Sequence, residues 1–130
     1  MRRHDFRGAK CTKRNLDKCE GVCKTYDDLQ YAFASLLNES EDVEFFEMNV
    51  VLEGLELEGK FHSDFIIHNK DGGLAIRECI HRDKLTRPLT CKLLDASRAY
   101  WKSHGVYDWG IVIDKEKGEW AYGEYGKKNA

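Results

Sequence analysis

At 130 residues, with 42% hydrophobic and 34% charged residues, the chain is long enough for one domain with a real core. A formal charge of −2 excludes a uniformly basic nucleic-acid glue, and no apolar run is long enough to span a bilayer. No charged-then-apolar leader is present, so the expectation is a cytoplasmic protein.

Residues 1–24 are basic and lack apolar periodicity, which predicts a loosely ordered arm ahead of a single domain over 25–130. The arm carries Cys11, Cys19 and Cys23; with Cys79 and Cys91 the count is odd, so reduced thiols are the default. Cys11, Cys19 and Cys23, with His4, offer a zinc set, against which stands the C-x₃-C spacing and the lack of a second tight pair. The other reading is thiols that only pack.

Thr25 followed by Asp27 and Asp28 reads as a helix start, with Thr25 the candidate N-cap. Leu29, Ala32, Phe33, Leu36 and Leu37 recur at helical spacing. A strand follows over 43–52 and breaks at Gly54. Two further extended runs, around 60–68 and 74–80, flank Asp71-Gly72-Gly73 and predict a β-hairpin. Asp64 and Glu78 stand fourteen positions apart across that turn, which sets them nearly opposite on neighbouring strands. Two carboxylates so placed can share a divalent metal, which activates water and polarises a phosphoryl oxygen. The bland alternative is a solvated acidic face, but both acids sit among apolar neighbours, where unpaired charge is costly.

Thr86-Arg87-Pro88 starts a second helix, with Thr86 able to cap. Its expected buried stripe is Leu89, Leu93, Leu94, Ser97, Tyr100 and Trp101, and Gly105 is placed to end it. WGIVID at 109–114 is a short apolar strand; a turn at 115–118 and an edge strand over 119–125 follow. His62 and His68 share the Asp64 face and are either ligands or plain strand-end residues. Arg77 is expected to pair with Glu47 or bind phosphate, and Cys79 and Cys91 to be small core residues. The exposed basic run Arg82, Lys84, Arg87 and Lys92 suits a DNA backbone. The predicted class is α/β (α+β), a mixed central sheet flanked by helices.

The element order, with SDFII at 63–67, AIREC at 75–79 and TRPLTCKLLDASRAYWKSHGVYDWGIVID at 86–114, resembles the N-terminal catalytic domain of the TnsA endonucleases of heteromeric transposases. These belong to the PD-(D/E)XK nucleases with an αβββαβ core. The resemblance implies Mg²⁺- or Mn²⁺-dependent cleavage of double-stranded DNA beside a partner transposase. It places metal ligands at Asp64, Glu78 and the carbonyl of Cys79. The family's helical Glu falls on Gln30, with Asp27 or Asp28 as substitutes, and its motif Lys falls on Ile80. Lys84, or else Arg82, would then have to supply the cation. The competing reading is a catalytically degenerate nuclease fold that binds DNA or a protein partner, as a transposition accessory or an inhibitor of a nucleic-acid-targeting complex.

Overall fold

A computed structural model describes residues 2–3, 10–52, 61–114 and 120–121. The strands are β1 (Arg2–Arg3), β2 (Thr12–Arg14), β3 (Cys23–Thr25), β4 (Val43–Leu52), β5 (Phe61–Asn69), β6 (Leu74–Cys79), β7 (Asp108–Asp114) and β8 (Trp120–Ala121). The helices are α1 (Asp28–Glu39) and α2 (Pro88–Ser103), with a 3₁₀ turn at Arg82–Lys84. This is an α/β fold with a mixed sheet.

Long alternating runs give the centre of the sheet. β4 pairs antiparallel with β5 from Val43↔Asn69 to Leu52↔Phe61. The other edge of β5 meets β6 through Phe65↔Arg77 to His68↔Leu74, and β1 through Arg2↔His62 and Arg3↔Phe61. Gly72 takes φ +89° in the hairpin turn, a region a side chain would strain. β6 and β7 run parallel, so the chain must cross over between them, and α2 is that crossover. β8 pairs antiparallel with the end of β7, and β2 with β3 forms a separate ribbon.

α1 buries Leu29, Phe33, Ala34 and Leu37 against Phe46, Phe65, Ile67, Ala75, Cys79 and Val112. Phe33 meets Phe65 edge-on at 4.9 Å between ring centres. α2 contributes a smaller cluster in which Leu93 joins Leu52, with Tyr100 and Trp101 alongside. Gly105, at φ +82°, follows the His104 cap and closes α2 as expected. Among the described residues no helix is long and apolar enough to cross a membrane.

Several expectations are corrected. Part of the basic arm belongs to the fold: Cys19 and Cys23 are buried in the α1 cluster, and Leu16 packs on it. Phe46 holds the arm on the β4 edge, its amide donating to Lys18 O and its carbonyl accepting from Glu20. The cap of α1 is Asp27, whose Oδ1 accepts the Gln30 amide at 2.8 Å; Thr25 is occupied in β3 opposite Thr12. Arg87, not Thr86, holds the N-cap position of α2 and makes no side-chain cap bond. Leu89 is 66% exposed, because the first turn of α2 lies outside the packed stretch. Arg77 pairs with Asp108 at 2.7 Å, and Glu47 instead holds His68 at 2.8 Å. Cys91 is exposed. His4, the break at Gly54 and the turn at 115–118 lie outside the described residues, as does all but β8 of the strand expected over 119–125.

Candidate functional site: a carboxylate fork

The β5–β6 ladder runs as far as Phe65↔Arg77, which sets Asp64 opposite Glu78 at the next step. There side chains take the place of main-chain acceptors. The Asp64 amide donates to Glu78 Oε1 at 2.7 Å, and the Cys79 amide donates to Asp64 Oδ2 at 2.8 Å. Each carboxylate thus caps the opposite strand where the two diverge, through hydrogen bonds strengthened by its charge.

Both helices fasten to this fork. From α1, Gln30 Nε2 donates to Asp64 Oδ1 at 3.1 Å and to Asn49 Oδ1 at 3.0 Å. The Gln30 carbonyl oxygen accepts the Tyr26 amide. Asn49 has φ +53°, the left-handed region that Asn tolerates better than most residues, and lies on β4 between the partners of Ser63 and Phe65. From the other side, Ser63 Oγ and Ser97 Oγ donate to Glu78 Oε2 at 2.7 and 2.6 Å. Those hydroxyls in turn accept the indole N–H groups of Trp101 and Trp109. Glu78 therefore gathers β5, β6, β7 and α2 onto one oxygen.

Asp64, Glu78, Gln30, Ser63, Ser97 and His62 are all fully buried. His62 Nε2 stands 3.4 Å from Asp64 Oδ1. His68 leans away, stacked on Phe45 and bound to Glu47. Burial, reinforced by the charges of Asp64 and Asp27, pushes the Cys79 thiol well above its ordinary value. That thiol is not a nucleophile. Its main-chain carbonyl leaves the strand on the same edge as its N–H, toward β5, so it does face the fork.

At the mouth of the fork lies a second group. His81 follows Cys79 by two residues, and its Nε2 is 3.5 Å from Asp28 Oδ1 and 3.9 Å from Asp27 Oδ2. Its Nδ1 faces Asp114 Oδ1 at 3.7 Å. One ligand atom from each of Asp27, Asp28 and His81 lies within 4.8 Å of the others. Asp28 is 86% exposed at its side chain and His81 29%.

These two places differ as metal sites. Asp64 and Glu78 offer hard oxygens, but as folded they are sealed from water and turned onto protein donors. A hydrated divalent ion, which keeps several waters, does not fit there in this state. Asp28 is open to solvent and Asp27 and His81 are partly so, and two carboxylates with one imidazole suit Mn²⁺. Asp114 Oδ1 accepts the Arg82 amide at 2.6 Å and, at 3.7 Å, lies beyond hydrogen-bond reach of the imidazole. Cys11, Cys19 and Cys23 form no such group among the described residues.

The expected site residues are thus partly assembled. Gln30, Asp64, Glu78 and Cys79 meet at the fork. Ile80, at the motif Lys position, is a buried apolar side chain. Lys84 is exposed in the 3₁₀ turn, and the donors described above for Asp64 and Glu78 are other groups. Arg82, Arg87 and Lys92 are exposed as a DNA-facing role requires, and Arg98 and Lys102 extend that face along α2. Sequence reasoning missed the roles of Ser63, Ser97, Trp101 and Trp109. The available signal was Ser97 inside an apolar helical stripe, one turn before Trp101. No family model matches the chain, and no curated protein matches it.

Proposed function

We propose that the protein is a metal-dependent DNA endonuclease of the TnsA kind, with its acidic site where α1, β5 and β6 converge. One observation carries this reading: Gln30, Asp64 and the Cys79 edge of β6, drawn from three elements, meet at one point. Asp27, which caps the Gln30 amide, Asp28, and His81, two residues after Cys79, would hold the ion. A divalent ion there supplies an activated water and a Lewis acid for a phosphoryl oxygen. The exposed cations from Arg82 through Lys102 support binding of the duplex backbone. A partner transposase is part of the same proposal.

A second reading is favoured by a specific observation. Ile80 puts no cation at the fork, and Glu78 is committed to docking α2. On that reading the domain binds DNA or a protein without cutting. Mn²⁺ calorimetry and supercoiled-plasmid nicking, on wild type, Asp28→Ala and His81→Ala, separate the two. The nuclease reading expects nicking that needs Mn²⁺ or Mg²⁺. It also expects the variants to weaken Mn²⁺ binding by more than the about 10–100-fold typical of losing an outer-shell partner. Tight DNA binding with no nicking, alone or beside a transposase, overturns it in favour of the second.

A further inference from the structure

We propose that Asn49 is a positioning residue: with Gln30 it forms a relay of side-chain amides that runs from the main chain of residues 24–26 to Asp64 and fixes where that carboxylate points. Gln30 Nε2 donates to Asp64 Oδ1 at 3.1 Å and to Asn49 Oδ1 at 3.0 Å, and Gln30 Oε1 accepts the Tyr26 amide at 3.0 Å. Asn49 Nδ2 donates to Lys24 O at 3.0 Å.

The polarity of each link is forced. A main-chain N–H can only donate, so Tyr26 draws the oxygen of Gln30 and leaves the NH₂ for Asp64 and Asn49. A main-chain carbonyl can only accept, so Lys24 draws the NH₂ of Asn49 and leaves its oxygen for Gln30. Flipping the Gln30 amide would set oxygen against the oxygens of Asp64 and Asn49 and NH₂ against the Tyr26 N–H. The bond to Asp64 is buried, where water does not replace a lost partner.

Position 49 calls for Asn on two counts. It stands on β4 between Met48↔Phe65 and Val50↔Ser63, the step opposite Asp64, and its φ is +53°. Asn and Asp tolerate that left-handed region better than most residues. An Asp has no N–H for Lys24 O, and Gly, at ease with this φ, has no side chain to offer. On the nuclease reading the relay keeps Asp64 aimed as the inner carboxylate of the site. Only the kinetic half of the test rests on that reading.

The test uses the full chain. The Cys79 backbone amide donates to Asp64 Oδ2 and so reports where the carboxylate lies. In ¹H–¹⁵N NMR spectra, Asn49→Gly keeps the φ and removes the amide, and should shift the Cys79 amide and the Gln30 NH₂. Gln30→Ala should also shift Cys79, and the double variant should move it no further, because Asn49 acts through Gln30. In plasmid nicking, Asn49→Gly should lower kcat about three- to tenfold, the factor one net hydrogen bond carries, with KM for DNA unchanged. If Asn49→Gly does not fold, wild-type couplings across the hydrogen bonds decide: Gln30 Nε2 should correlate with the carboxamide carbon of Asn49 and the carboxyl carbon of Asp64. Missing correlations, Cys79 and Gln30 signals in Asn49→Gly that match wild type, or additive shifts in the double variant overturn the proposal. A wild type that never nicks DNA overturns the nuclease reading instead, and the NMR result still decides the role of Asn49.

Discussion

Replacing Glu78 by Gln tests whether this carboxylate holds the fold together. The amide keeps a carbonyl oxygen for the Asp64 N–H, but its NH₂ cannot accept from Ser63 and Ser97. Both hydroxyls already accept an indole N–H, so they have little room to reorient. Two hydrogen bonds to a charged acceptor, about 1.5–3 kcal/mol each, are lost, and the Asp64 N–H keeps a neutral one of about 0.5–1.5 kcal/mol. The expected loss is at least about 3 kcal/mol. Glu78→Ala leaves three buried donors unmet at about 1–3 kcal/mol each, which approaches the whole stability of a domain, about 5–15 kcal/mol. Urea unfolding followed by tryptophan fluorescence measures this, since Trp101 and Trp109 report on the network directly. The midpoint should fall with an unchanged slope. Pairing Glu78→Gln with Ser97→Ala in a double-mutant cycle should give a coupling of at least about 0.5 kcal/mol. A Glu78→Gln protein within about 0.5 kcal/mol of wild type, or more stable, would refute the reasoning.

DNA binding should weaken steeply with salt, and neutralising Arg87 or Lys92 should lower the log–log slope by about one unit for each phosphate the residue engages; a salt-independent affinity removes the basic face from the interface. Lys84→Ala should leave the fold and metal affinity intact, and should cost about 10²–10³-fold in any metal-dependent cleavage if Lys84 is the site's cation; unchanged rates in both Lys84→Ala and Arg82→Ala exclude that role. The Cys23 thiol is lowered to about 7 from the ordinary 9.0, chiefly by Cys19, and Cys19 is raised, so stability should rise with pH from about 7 to 9, where the unfolded chain still holds the Cys23 proton, and fall above 9. Denaturant midpoints should therefore be highest near pH 9, and a midpoint that falls from 7 to 9 contradicts the assignment. Cys79 should resist alkylation in the native protein over the same range, and ready labelling would place it elsewhere.

The hairpin, the strand over 43–52 and both helices were legible because each has a clean period and a turn or glycine to bound it. The pairing of Asp64 with Glu78 was legible for the same reason: a two-residue period and a known turn fix register. The packing of Cys19 and Cys23 was not, since nothing periodic in the basic arm signals that Phe46 exchanges main-chain bonds with it. Nor was the Asp27 cap. Thr25 is also a good capping residue, and only its pairing with Thr12, remote in sequence, removes it from the helix. The Asp27–Asp28–His81 group joins residues more than fifty positions apart and needed the fold to be seen.

The two carboxylates at the fork face different demands. Ionised Glu78 has about four lone-pair positions and commits at least three of them to Asp64 N, Ser63 and Ser97. A metal on Glu78 would have to displace Ser97 and so loosen α2, at about the cost worked out above for the Gln variant. Asp64 is held by Gln30 and Cys79, and neither of those bonds docks α2, so turning Asp64 toward an ion leaves that helix in place. Asp28 is exposed and disrupts nothing when it binds an ion. Ligation should therefore start at Asp28 and His81 and reach inward to Asp64 before it reaches Glu78. Mn²⁺ affinity measured on Asp28→Ala, Asp64→Asn and Glu78→Gln should fall in that order of severity. A Glu78→Gln protein that folds but loses Mn²⁺ binding while Asp28→Ala keeps it would place the ion in the fork itself, with α2 displaced from the arrangement described.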